Sequence, residues 1–200
     1  EGFNITGPLI DTIQMSFLGS VIGSAFALPV AIISSSNINK YKPFLIGTRL
    51  FLSIVRTLPV LVYAAIFAYI FGFGTIPGVL AITIFTFAIL SKMLYEKIET
   101  IDMGAYIAIE ATGATKIQAF FTAVIPQIMG NYLSLALYSF EINIRYAAIL
   151  GYVGAGGIGI LLQDRMNWLR YDDVVVVLLV LFVTVLSIEN LSRYLRKRLG

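Results

Sequence analysis

The residues best placed to do chemistry in this 200-residue chain are Glu141 and Arg145, two opposite charges inside an otherwise apolar stretch. Four residues apart, they share one helical face. An ionised side chain at membrane depth is costly and normally faces a bundle interior or a wet cavity, and pairing lowers that cost. The pair, with Asn143 between its members, therefore reads in two ways. It is a polar patch on a path for a charged solute, where Arg145 helps an anion pass, or an ion pair that fixes helix packing. A second constellation is Gly154-Ala155-Gly156-Gly157-Ile158-Gly159, which fits G-x-G-x-x-G, with Asp172 18 residues beyond Gly154. That imitates a dinucleotide fingerprint. The next element, 174–188, is a long apolar run, so no βαβ unit can form and the nucleotide reading fails. In lipid, clustered glycines allow close backbone approach or a helix break lining a cavity. Gly154, Gly156 and Gly157 thus join Glu141, Asn143 and Arg145 as candidate path residues. Arg56-Thr57-Leu58-Pro59 marks a second break, because proline lacks the helical N–H and clashes with the preceding turn. Arg56 and Pro59 are the candidate hinge, with a static kink as the other reading.

Composition says what must position these groups. Hydrophobic types make up 58% of the chain and charged types 12%, against about 25% charged in a soluble domain. Lipid must be part of the solvent. There is no His and no Cys, which excludes His- or Cys-ligated metals, Ser-His-Asp and Cys-His triads, thiol redox chemistry and disulfides. An intramembrane enzyme would need facing catalytic groups, and Glu141 is the one carboxylate clearly at mid-depth. The net charge of +3 is modest and sits in short connectors, unlike the basic face of a nucleic-acid binder. The chain begins at Glu1 rather than Met, so further residues, such as another span or a signal, are expected upstream.

A membrane helix needs about 20 apolar residues. The candidates are 9–33, a split second span at 46–55 and 60–73, 76–90, an irregular fourth region from 124 to 162, and 174–188. The expected fold is an all-α integral membrane protein with five passes and one domain over 1–200. Lys40, Lys42, Arg49, Arg56, Lys92, Lys97, Lys116, Arg193, Arg196, Lys197 and Arg198 fall on one side, and only Arg165 and Arg170 on the other. The positive-inside rule then puts the N-terminus outside and the C-terminus in the cytoplasm. Trp168 and Tyr171 sit at the outer interface as ordinary aromatic anchors.

The polar segment 91–125 is therefore cytoplasmic. Residues 91–100 continue the third membrane helix, Gly104 offers a break, and 105–112 form a short helix. Gly113 stops it, since glycine accepts φ > 0 past a helix end. Thr115 caps the next helix, and Pro126 marks re-entry into the membrane. Two short helices at an angle make a rigid knob suited to docking, or an amphipathic connector lying on lipid.

The pattern Ala108, Ala111-Thr112-Gly113-Ala114-Thr115, Gln118 and Ile125-Pro126-Gln127 resembles the EAA loop of bacterial ABC importer permeases, including the 13-residue step from Gly113 to Pro126. The motif's Glu, six residues before the glycine, is Ile107 here, and Glu110 lies about one turn away. Five further stretches resemble the phosphonate branch. They are Arg56-Thr57-Leu58-Pro59, residues 73–81, Glu99-Thr100-Ile101-Asp102, residues 138–145 and residues 150–159.

The resemblance implies a type I ABC importer permease in a bacterial inner membrane, carrying phosphonate or a related phosphorus oxyanion by alternating access. The competing solute class is methionine or another amino acid. Ala108, Glu110, Ala111, Thr112, Gly113, Ala114, Thr115, Gln118 and Pro126 would then couple to a cytoplasmic ATPase. The implied partners are a second permease copy, because five passes enclose too little alone, two ATPase subunits and an extracytoplasmic solute-binding protein. The chain has no Walker motif, so no cofactor is expected in it. ATP and Mg would be bound by the partner ATPase.

Overall fold

A computed structural model describes residues 4–199, and all regular structure among them is helical. The expectation attached to Glu1 lies outside the described residues. The first helix, α1 (Thr6–Ile33), buries small and hydroxyl residues, including Thr12, Ser16, Gly19, Ser20, Gly23, Ser24, Ala27 and Ala31. Their three- and four-residue steps make one narrow stripe. Lipid offers no hydrophobic gain for helix pairing, so close backbone approach and interhelical hydrogen bonds must supply it. The helix α4 (Thr75–Ile98) lies against that stripe. A Cβ at Gly23 would stand 2.7 Å from the Thr83 carbonyl oxygen, and one at Gly19 would stand 2.6 Å from the Ile82 side chain.

The split second span is two helices, α2 (Lys42–Thr57) and α3 (Val60–Phe71), bent by 81°. Leu58 is extended, with ψ 130°, as steric clash with a following proline requires. The Tyr63 hydroxyl crosses the bend and donates to the Val55 carbonyl at 2.7 Å.

After α4 come the short α5 (Gly104–Ala111) and then α6 (Lys116–Ala119), a π turn (Phe120–Val124), α7 (Ile125–Leu150) and a 3-10 turn (Gly151–Val153). The last four run on as one 38-residue helical stretch. Pro126 therefore lies inside a continuous helix. The reason is local: a π turn widens the helix just before the proline, where its ring would otherwise strike the carbonyl four residues back. The irregularity expected in the fourth region is confined to the glycine run that follows. The helix α8 (Ile158–Asn167) comes next, and α9 (Tyr171–Leu199) closes the chain. The basic end of α9 is helical to Leu199, well beyond the expected apolar run. Among the described residues, four helices are long and apolar enough to cross a membrane, five when the bent α2–α3 pair counts as one span.

The two ends of the bundle separate cleanly. At one end, Gly74 donates its N–H to the Gly154 carbonyl at 2.9 Å and Ile158 donates to Thr12 Oγ1 at 2.7 Å. At the other, Asn37 donates to the Ile98 carbonyl at 3.0 Å and a Cβ at Gly130 would meet the Leu199 carbonyl. Here Arg49 donates to the Ser34 carbonyl at 2.8 Å and to Glu99, and lies over the Tyr95 ring at 4.8 Å. Glu99 also accepts from the Ser36 N–H at 2.8 Å. This joint ties α1, α2 and α4 together at the root of α5.

Burial alone would push the Glu99 carboxyl up. Hydrogen bonds from the Ser36 hydroxyl and N–H and from Arg49, with the charge of Arg49, outweigh it and hold the group below its ordinary 4.5. A depressed carboxyl stabilises the fold fully above its unfolded value, and that share is lost as pH falls through the folded value. Thermal unfolding in detergent should thus show a stability loss below about pH 4.5, and Glu99→Gln should flatten it. An identical acid profile for wild type and variant would refute the joint's share in stability.

Candidate functional site

The segment between α4 and α7 stands out from the bundle. Asp102 Oδ1 accepts the Gly104 N–H at 2.7 Å and starts α5. No residue of α5 is buried, and Ala108, Ala111, Thr112 and Gly113 are exposed while Glu110 and Ala114 are half-buried. Gly113 has φ +92° and turns the chain. Thr115 and Gln118 then form a reciprocal capping box, with Thr115 N–H to Gln118 Oε1 at 2.9 Å. Two orphan donors of α6 are satisfied this way. Gln127, the residue after Pro126, donates to the Asp102 carbonyl at 3.1 Å and anchors the loop's base. Ile107 and Ile117 present apolar side chains outward at 61% and 70% exposure. The result is a braced projection with an apolar tip.

Glu141 and Arg145 do meet, at 2.9 Å, but as part of a larger cluster. Arg196 of α9 donates to the other Glu141 oxygen at 2.9 Å. Arg145 reaches on to Glu189 at 3.0 Å, and Arg193 pairs with Glu189 at 2.6 Å. Glu141 is 7% exposed and Arg145 48%. The cluster locks α7 to α9.

Asn143 points elsewhere. It is buried, and its Nδ2 donates to Ser20 Oγ of α1 and Thr86 Oγ1 of α4, both at 2.7 Å. It joins three helices. Gly154, Gly156 and Gly157 all have positive φ and form a real break. It is packed closely: a Cβ on Gly156 would stand 2.8 Å from the Gly74 carbonyl oxygen, and one on Gly157 2.5 Å from Thr12 Oγ1. Arg56 and Pro59 sit at the α2–α3 bend. The glycines are at the far end of the bundle from the knob, so the site residues form a column of separate features, not one pocket. Among the described residues, no group of His, Cys, Asp and Glu is placed to hold a metal ion.

Residues 27–200 match the family described as binding-protein-dependent transport system inner membrane component. The chain belongs to this family. It is 37% identical over 191 residues to the phosphite transport system permease protein PtxC of Stutzerimonas stutzeri, covering 95% of this chain and 69% of that one. It is 32% identical over 198 residues to the phosphate-import permease protein PhnE of Mycolicibacterium smegmatis. That match covers 99% of this chain but 37% of the relative, so the chain spans well under half of that protein. Its fold is that of a chain in the inward-facing methionine ABC transporter MetNI, with a TM-score of 0.83 at 19% identity, covering 98% of this chain and 96% of that one. At that identity the likeness concerns the fold alone.

The family's multi-pass inner-membrane character accords with the helices described above. In this permease chain, sequence reasoning missed Glu189, Arg193 and Arg196 as partners of the Glu141–Arg145 pair. A signal was present: residues 189, 193 and 196 share one face of α9, just as 141 and 145 share one of α7. The α1 stripe likewise carried the hydroxyls that meet Asn143.

Proposed function

We propose that this chain is the membrane-spanning subunit of an ATP-driven importer for phosphonate or a related phosphorus oxyanion, working by alternating access. The observation that carries this reading is the braced α5–α6 knob, in a chain whose relatives are named phosphite and phosphate permeases. Ala108, Glu110, Ala111, Thr112, Gly113, Ala114, Thr115, Gln118 and Pro126 form or brace the docking surface for a cytoplasmic ATPase. A rigid, capped, outward-facing element transmits force better than a loose loop. Two ATPase subunits supply ATP and Mg chemistry, a binding protein delivers solute at the glycine-run end, and a second copy of this chain completes the path. The C-terminus is cytoplasmic, as the basic residues gathered at the knob end support. Glu141, Asn143, Arg145, Gly154, Gly156 and Gly157 shape the path, and the bend at Arg56 and Pro59 is its hinge.

The test is Gly113→Asp. At φ +92° a side chain is strained, and the added charge stands on the exposed turn. Co-purification with the ATPase should fall at least about ten-fold, since roughly 1.4 kcal/mol at an interface is a factor of ten. Undiminished complex with solute-stimulated hydrolysis would refute the docking assignment.

A further inference from the structure

We propose that a cavity between α4 and α7 is a station on the solute path, holding a phosphorus oxyanion through uncharged hydroxyl donors. The inference rests on the transport reading above. The cavity measures about 70 Å³ and is lined by Phe85 and Thr86 of α4 and by Tyr138, Ser139, Asn143 and Tyr146 of α7. That exceeds the space a single water requires. Within that lining Asn143 donates to Thr86, and it donates also to Ser20 of α1. No α1 residue lines it, so it opens on the face of the α4–α7 pair that α1 leaves uncovered.

The donors are the unusual feature. Most interior hydroxyls of this bundle turn back on their own helix: Thr12 to the Pro8 carbonyl, Ser16 to Thr12, Ser20 to Ser16 and Thr83 to Val79, at 2.6 to 2.8 Å. Thr86 and Ser139 do not. Thr86 Oγ1 accepts from Asn143, which leaves its own hydrogen to give. The hydroxyls of Ser139, Tyr138 and Tyr146 have no hydrogen-bond partner among the described residues. Four hydroxyl-bearing residues, Thr86, Tyr138, Ser139 and Tyr146, thus line one cavity whose lining includes no carboxylate.

An oxyanion accepts hydrogen bonds at every oxygen, so it suits such a lining. Glu141 does not oppose it, because Arg145 and Arg196 hold its two oxygens. The cluster carries three guanidiniums on two carboxylates, and Arg196 lies 5.6 Å over the Tyr138 ring. Tyr138 thus separates this net positive cluster from the cavity, and no guanidinium lines it. Direct bidentate pairing to arginine would grip the anion with two parallel bonds and an opposite charge, whereas single hydroxyl donors bring no opposing charge and let it leave.

The chain has no cysteine, so Ser139→Cys gives this subunit a unique thiol. The variant is assembled with its ATPase and binding protein in proteoliposomes and exposed to an anionic methanethiosulfonate during turnover. The thiol should be modified, and phosphite at transport-saturating concentration should slow the modification several-fold. In parallel, Ser139→Ala with Tyr146→Phe should lower phosphite uptake by about five-fold per hydroxyl removed, while co-purification with the ATPase stays at the wild-type level. If the cysteine variant fails to assemble, the uptake measurement decides alone. A thiol that is unreactive or indifferent to phosphite, or uptake at the wild-type rate in the double variant, overturns the station. The transport reading survives that outcome if the wild type moves phosphite. A wild-type assembly that moves no phosphorus oxyanion overturns both.

Discussion

Gly151→Ala should cost the fold more than about 3 kcal/mol, at the damaging end of the range for single substitutions. The cause is backbone against backbone. A Cβ on Gly151 would overlap the main chain of Gly159, and a Cβ on Gly159 would overlap the Ala148 carbonyl and Gly151. Ordinary overpacking costs about 1–3 kcal/mol because side chains can turn aside, and here none stands between. Relief requires moving α8 off the end of α7, which would also pull Ile158 from its hydrogen bond to Thr12. Gly156→Ala should be damaging for two reasons at once, a φ of +83° and a close approach to Gly74 and Thr75. Gly47→Ala is the control: nothing lies within 4 Å of its Cβ position in α2. Alanine there should be neutral or stabilising by up to about 1 kcal/mol. The check is the yield of monodisperse protein in detergent and its thermal midpoint. A Gly151→Ala protein that melts with the wild type would remove the close-packing account of the glycine run.

That run shows how far the sequence could be read. Its composition left two uses open in lipid, close backbone approach or a helix break, and the structure shows both at once. Composition did not say what the break packs against, since Gly74 and Thr12 lie 80 and 145 residues away from Gly154 and Gly157. The same division recurs elsewhere. Gly113 and Thr115 act through neighbours in the chain, and the turn and the helix cap were legible from those residue types, while the return bond from Gln118 that completes the capping box came from the structure. The bend at Pro59 was legible for the same reason. Continuity through Pro126 was not, because a π turn has no residue signature comparable to a proline's. The Glu141–Arg145 pair was visible at four-residue spacing. Its completion by α9 was not, because Arg193 and Arg196 read more simply as the basic tail that sets orientation. A charge can do both, marking a side of the membrane while its long side chain reaches inward to a buried carboxylate.

The cluster's geometry makes an unequal prediction where a simple pair makes an equal one. If Glu141 and Arg145 bonded only to each other, removing either would leave one charge alone, and the costs would be similar. In the structure they are not equivalent. Glu141 holds two guanidiniums, and it is the buried member at 7% exposure. Arg145 is half-exposed and shares Glu189 with Arg193. Glu141→Ala therefore leaves Arg196 with no carboxylate and Arg145 with Glu189 only. Breaking a buried pair costs roughly 3–5 kcal/mol. Exposure of Arg145 and its second partner bring the expected loss to about 2–3 kcal/mol. Arg145→Met leaves Glu141 on Arg196 and Glu189 on Arg193, so its cost should be about 1 kcal/mol, because the two hydrogen bonds lost belong to a half-exposed side chain and neither carboxylate is left unpaired. Glu141→Gln should fall between the two, since an amide still accepts from one arginine. The same logic requires that Glu141→Ala and Arg196→Met be non-additive, each removing the other's partner. Unfolding of the purified permease, followed by thermal scanning or by titration with sodium dodecyl sulfate, gives the order directly. Equal losses for Glu141→Ala and Arg145→Met would mean that α9 does not complete the cluster, and the link between α7 and the basic end of the chain would have to be abandoned.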